Sequence, residues 1–243
     1  MVILFTDFGI GSPYQAQLKA QLWLYNAVPP IIDLHADLAA FQMNLAAYLL
    51  PAYVEKFPPA SVFLCVVDPE VGSARRPLAI YCKERWFVGP DNGLFQILVQ
   101  HFEEVKGFEI IWRPQNLSAT FHGRDLFAPI AAQLSNQYIN GLQPISHLMP
   151  TDYHLPNDLW KIIYIDSYGN LFSGIRATTL SKTANIKMEE HTFSYAETFS
   201  NVKKGQGFWY ENSIGLVELA INQGNAAHTY QTCIGKSITL GHF

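Results

Sequence analysis

Val2-Ile3-Leu4-Phe5-Thr6-Asp7-Phe8-Gly9 opens the chain and sets its class. The apolar run reads as a short strand, and the turn residues after it read as its end. Ser12-Pro13 follows as an N-cap with proline at the first helical position. Tyr14, Leu18, Leu22 and Tyr25 then recur at helical spacing.

The same alternation continues outward from this unit. Residues 30–34 read as a second strand and 38–54 as a helix, with Pro51 expected to kink or interrupt it. Residues 62–67 form a third strand running straight into Asp68. Residues 78–82 and 86–88 pair as a hairpin, followed by the turn Pro90-Asp91-Asn92-Gly93. Helices are expected over 94–102 and 126–134. The pattern predicts an α/β N-terminal domain over residues 1–150, a mostly parallel sheet with flanking helices. Pro144, Pro150 and Pro156 then punctuate a polar stretch, 143–158, that reads as a linker. Short β-like runs at 160–165, 170–175, 186–188, 208–210, 216–221 and 233–240 predict a smaller all-β domain over 158–243.

Bulk composition narrows the function. The 243 residues are 49% hydrophobic and only 15% charged, the mark of a globular chain with ample core material. A net charge of -4 leaves no basic footprint for nucleic acid or an anionic membrane. No apolar run reaches the roughly 18 residues of a membrane helix. Cys65, Cys82 and Cys233 are odd in number and widely spaced, which argues against a disulfide framework or zinc site. Buried thiols in a reducing compartment are expected. No signal peptide precedes the first strand, so the cytoplasm is the expected location.

The chemistry concentrates in two segments. Phe121-His122-Gly123-Arg124-Asp125 lies far downstream of Asp68-Pro69-Glu70-Val71-Gly72-Ser73-Ala74-Arg75-Arg76. Together they offer a carboxylate, a guanidinium and an imidazole beside turns, enough to hold and polarise one water. Asp7 and Asp68 both follow apolar strands, where ligands collect in such sheets. From the segment alone, Asp68 fits a cleft carboxylate and a turn-capping aspartate about equally. Adjacent Arg75 and Arg76 are expected to point in different directions; one fits a partner for Asp68, though a solvated surface pair is the commoner fate of such a dipeptide. His122 suits proton handling, though a loop histidine is more often structural. Arg124-Asp125 fits an ion pair or a cap for the following helix. Asp7 resembles a post-strand acid that grips a ribose diol, and it also fits a helix-start role. Asp166-Ser167-Tyr168-Gly169-Asn170 fits a site for a zwitterion and, equally, a hairpin turn. Ser213, Glu218 and Asn222 flank and occupy the strand 216–221. The chain lacks GxGxxG and GxxxxGK[ST], and no His or Cys spacing suits a transition metal.

In order along the chain, Thr6-Asp7-Phe8-Gly9, the Asp68–Arg76 turn, Pro90-Asp91-Asn92-Gly93, Phe121-His122-Gly123-Arg124-Asp125, Asp166 to Asn170, and Gly215-Leu216-Val217-Glu218-Leu219-Ala220-Ile221-Asn222 resemble one family. It is the S-adenosylmethionine hydroxide adenosyltransferases, relatives of the bacterial fluorinase and chlorinase. The resemblance covers nearly the whole chain. It implies an α/β N-terminal domain, a barrel-like C-terminal β domain, and a homotrimer with sites at subunit interfaces. It implies that Asp68, Arg75 and His122 activate water and that Asp7 holds the ribose hydroxyls. Asp166, Asn170 and Ser213 would contact the methionine or adenosine portions, with Glu218 and the backbone near Ile221 toward the adenine end. The halogenases of this family carry tyrosine where His122 stands, and the fluorinase has serine in place of the next glycine. His122-Gly123 therefore resembles the water-using branch, and an extra loop typical of the fluorinase is missing. Glu70 replaces a usual glycine, Gly174 a frequent asparagine and Ile214 a frequent arginine. If that glycine needs positive φ, Glu70 strains the turn.

The implied reaction is hydrolysis of S-adenosylmethionine, a small-molecule substrate, to adenosine and L-methionine with no cofactor or metal. The rivals are a chloride-using halogenase, a catalytically silent adenosine or S-adenosylmethionine binder, and a metal-dependent hydrolase using Asp7, Asp68, Asp91 and His122.

Overall fold

The computed structural model describes residues 1–25, 30–148 and 154–241. The chain folds as two compact units, Met1–Leu155 and Pro156–Phe243.

The first unit is α/β. Its strands are β1 (Val2–Thr6), β2 (Ile31–His35), β3 (Val62–Val66), β4 (Pro77–Cys82), β5 (Arg85–Pro90), β6 (Lys106–Ile110) and β7 (Leu142–Ile145). They form one sheet in the order β2-β1-β3-β5-β4-β6-β7. The half built from the strand–helix repeat, β2-β1-β3-β5, is parallel. The pairings β5-β4, β4-β6 and β6-β7 are antiparallel, so the whole sheet is mixed. Every residue of β1 and β3 is buried, which is why both read as unbroken apolar runs instead of alternating ones. Val2, Leu4, Val62, Leu64 and Val66 share a core with Leu18 and Leu22 of α1 (Pro13–Trp23) and with Ile130, Ala131 and Leu134 of a later helix. Ser12 caps α1 through its side chain, accepting from the Tyr14 amide at 3.1 Å.

Two of the other helices are shorter than the sequence pattern predicts, and the third begins earlier. The helix expected over 38–54 is α2 (Met43–Tyr53), because Leu38 N–H donates to the Thr6 carbonyl and ties the preceding loop to the end of β1. Pro51 sits inside α2 without breaking it, one turn before a 3₁₀ segment at Val54–Lys56. The helix over 94–102 is α3 (Gln96–His101). The stretch 126–134 begins as one turn of π-helix, Gly123–Phe127, closed by Ala128 N–H donating to the Gly123 carbonyl, and continues as α4 (Ala128–Ser135). Part of the expected linker is also structured: Pro144 pairs with Phe108 on the edge strand β7, where a missing N–H is tolerated. Pro150 lies outside the described residues.

The second unit contains β8 (Leu159–Ile165), β9 (Leu171–Arg176), β10 (Asn185–Met188), β11 (His191–Ser194), β12 (Gly207–Glu211), β13 (Leu216–Ile221), the one-turn helix α5 (Ala226–Thr229) and β14 (Thr239–Gly241). Two antiparallel sheets, β12-β13-β9-β8 and β11-β10-β14, share one core around Trp209, Phe193, Val217 and Leu219. The expected strand over 233–240 is reduced to β14. Cys233 lies in the loop before it and is exposed, unlike the buried Cys65 and Cys82, so the expectation of three buried thiols fails there.

Candidate active site

Strand register places the first cluster. Thr6 of β1 pairs with Val66 of β3 in parallel, so Asp7 and Asp68 leave adjacent strands at the same carboxyl end of the sheet. They line a cavity of about 490 Å³ with Phe8, Tyr14, Phe41, Phe121 and His122.

Asp68 is not a simple turn cap. Arg75 grips its carboxylate with two hydrogen bonds, Nε to Oδ1 at 2.6 Å and Nη2 to Oδ2. Both side chains are only 4% exposed. The Arg75 guanidinium also lies over the Phe127 ring, 5.5 Å from its centroid. Arg76 diverges as expected and donates to Asp91 at 2.9 Å. That engagement takes Asp91 out of the first cluster. Asn92 supports the strand end itself: its Nδ2 donates to the Val67 carbonyl at 2.8 Å, just before Asp68.

His122 joins this pair. Arg75 Nη2 donates to His122 Nδ1 at 3.3 Å. A guanidinium can only donate, so Nδ1 is the acceptor and the neutral ring carries its proton on Nε2. Burial lowers the His122 pKa, and the Arg75 charge lowers it further against the opposing pull of Asp68. Burial raises the Asp7 pKa, opposed by the Phe41 amide that donates to its Oδ2 at 3.1 Å. Phe41 was invisible in the sequence. It is 71% exposed with φ of 64°, a left-handed conformation that aims its N–H at Asp7.

Arg124 and Asp125 form an ion pair, Nε to Oδ1 at 2.6 Å. Arg124 also donates to Gln17 of α1 at 2.8 Å and lies over the Phe121 ring, and Asp125 accepts from the Ser118 amide. These contacts hold the His122 turn against α1.

The strain expected at Glu70 does not exist. Glu70 is not among the positive-φ residues; the turn reverses at Gly72, with φ of 85°. A Cβ at Gly72 would lie 2.6 Å from the Ala119 carbonyl oxygen, in the loop leading to His122. Gly72→Ala should therefore cost about 1–3 kcal/mol, measured by denaturant unfolding. Unchanged stability would show that the two loops part easily.

The remaining sequence candidates gather in the second unit. Asp166, Asn170, Ser213, Glu218 and Ile221 line a cavity of about 720 Å³ with Phe172, Phe199, Tyr210 and Asn212. Asp166 caps the β8–β9 turn, its Oδ1 accepting from the amides of Tyr168 and Asn170 at 3.0 and 2.8 Å. Glu218 is buried, with its Oε1 accepting from Tyr210 and its Oε2 from Asn212. Ile221 belongs to the core of the second unit and also lines the cavity. Gly174 faces Leu159 across β8–β9, and the Ile214 amide donates to Asn212. Tyr210 and Asn212 had no sequence signal, since a tyrosine in a strand and an asparagine in a turn are ordinary residues. Among the described residues, no cluster of three His, Cys, Asp or Glu side chains suits a metal ion.

Comparison with known proteins agrees across both units. Residues 2–142 match the SAM hydroxide adenosyltransferase N-terminal domain, and residues 160–239 match the C-terminal domain. The (R)-S-adenosyl-L-methionine hydrolase of Thermus thermophilus is 32% identical over 261 residues, covering 98% of each chain. The enzyme of the same name from Methanocaldococcus jannaschii is 32% identical over 82% of this chain and 71% of its own. The crystal structure of an uncharacterized conserved protein from Thermotoga maritima superimposes over the full length of both chains, with a TM-score of 0.86 at 27% identity. The family matches cover most of both units, and the chain belongs to the SAM hydroxide adenosyltransferase family.

Proposed function

We propose that this chain hydrolyses S-adenosyl-L-methionine to adenosine and L-methionine, with water attacking the ribose 5′ carbon. The linked side chains Asp68, Arg75 and His122 beside Asp7 carry the reading, and the hydrolase names of the full-length relatives support it.

A C–O bond forms at the 5′ carbon as the C–S bond breaks. The sulfur keeps the electron pair and leaves as a neutral thioether, so no general acid is needed. Attack makes the water oxygen strongly acidic, so a carboxylate suffices to take the proton. Asp68 is that acceptor, held in place by Arg75. His122 donates from Nε2 to the water oxygen and orients it, because its Nδ1 already faces Arg75. Asp7 accepts from the ribose hydroxyls, and the sulfonium charge favours its ionised form. Asp166, Asn170 and Ser213, with the backbone near Ile221, are proposed to contact the methionine or adenosine portions of the substrate. The proposed assembly is a cytoplasmic homotrimer with sites at subunit interfaces. The exposed apolar side chains Ile10, Tyr14 and Phe41 support that assembly. No described helix is long and apolar enough to cross a membrane.

Chromatography of purified protein with S-adenosylmethionine in chloride buffer tests the reaction. Equal amounts of adenosine and methionine are expected. Tight binding without product, or 5′-chloro-5′-deoxyadenosine, would overturn the reading. The pH profile follows from His122. Its protonation destroys the acceptor at Nδ1 and sets two cations side by side, so activity needs the neutral ring. The neutral form persists until pH falls through the lowered pKa, so the acid limb of kcat/KM should lie below the ordinary 6.5. A limb above 6.5 would contradict the assignment.

A further inference from the structure

We infer that Glu218 is a positioning residue for this reaction, an acceptor whose charge is dispensable, which fixes two walls of its cavity through Tyr210 and Asn212 and does not itself grip the substrate. The inference rests on the hydrolase reading for its kinetic arm only.

The geometry is set by the sheet. Tyr210 of β12 lies directly across from Glu218 of β13 in the antiparallel register, so their side chains share one face. The Tyr210 hydroxyl donates to Glu218 Oε1, and Asn212 Nδ2 donates to Oε2 at 3.0 Å. Each carboxylate oxygen therefore already has a protein donor. Glu218 is 2% exposed, so these donors are matched out of water.

Each donor then holds something else. The Tyr210 ring packs edge-on against Phe199, at 5.3 Å between centroids, and Phe199 lines the cavity. Asn212 Oδ1 accepts from the Ile214 and Leu216 amides at 3.1 and 3.0 Å. That orientation is possible only while Asn212 Nδ2 faces an acceptor. Flipping the amide would break both turn contacts. The turn so fixed presents Ser213 to the cavity. Burial raises the Glu218 pKa, with the Tyr210, Asn212 and Asn170 hydrogen bonds opposing. A relay that needs acceptor oxygens and no net charge fits that balance.

Two substitutions separate this role from a charge contact with substrate. Glu218→Gln should keep KM and kcat within about 3-fold, because its amide oxygen accepts from Asn212 and the Tyr210 hydroxyl rotates to accept from its nitrogen. Glu218→Leu strands both donors and should raise KM by roughly 10–100-fold, with kcat at saturation changed far less. Backbone amide exchange of Ile214 and Leu216, followed by NMR, should quicken at least ~10-fold in Glu218→Leu and stay unchanged in Glu218→Gln. Equal damage from both substitutions would assign a charge contact and overturn the inference, as would parent-like KM and exchange in Glu218→Leu. If Glu218→Leu does not fold, Asn212→Ala carries the same KM expectation, and a parent-like KM overturns the relay. If the parent protein does not hydrolyse S-adenosylmethionine, the functional reading fails while the exchange measurement still decides the role of Glu218.

Discussion

His122→Ala should lower kcat by on the order of 10²–10⁴ while leaving the fold intact. The ring is only partly buried, and Arg75 is the neighbour that hydrogen-bonds to it. Its loss therefore removes little packing. What it removes is the Nε2 donor that holds the water oxygen in line with the departing sulfur. KM should change far less than kcat, because the groups proposed to hold ribose and methionine lie elsewhere. Steady-state kinetics alongside an unfolding curve checks both halves. Turnover within a few-fold of the parent would remove the imidazole from the mechanism.

Arg75→Met should destabilise the protein by about 3–5 kcal/mol, because it leaves a buried carboxylate without its partner. The pair is nearly solvent-free at 4% exposure for each side chain, so water cannot replace the guanidinium at low cost. Methionine keeps an unbranched apolar stem but removes the guanidinium that lies over Phe127, so the loss includes that contact as well as the ion pair. Turnover should fall as well, since Asp68 and His122 both lose the group that orients them. Denaturant titration measures the first effect and the hydrolysis assay the second. A loss under about 1 kcal/mol would place Arg75 among ordinary surface pairs.

The parallel half of the sheet was legible because β1 and β3 are buried on both faces and so read as unbroken apolar runs. The outer strands β6 and β7 were not, since Lys106, Glu109 and Pro144 interrupt any strand pattern there. Asp7 and Asp68 were legible as post-strand carboxylates. The choice of Arg75 over Arg76 came from the family resemblance alone, because in the residues themselves it depends on where Asp91 sits after folding. Phe41 acts through a backbone angle, Asn92 and Asn212 through a side-chain amide and Tyr210 through its hydroxyl, and residue type alone does not reveal such roles. Glu70 shows the converse. The positive φ lies two positions on, at Gly72, where a glycine adopts it without strain.

The π turn at Gly123–Phe127 has an evolutionary corollary. α4 is anchored by its buried residues, so removing one residue from the turn would rotate everything before it by roughly 100° about the helix axis. His122 would swing away from Arg75 without any change in its identity. Descent can thus switch this protein off by a three-nucleotide deletion that spares every polar side chain named above, and alignments that score residue matches alone would miss it.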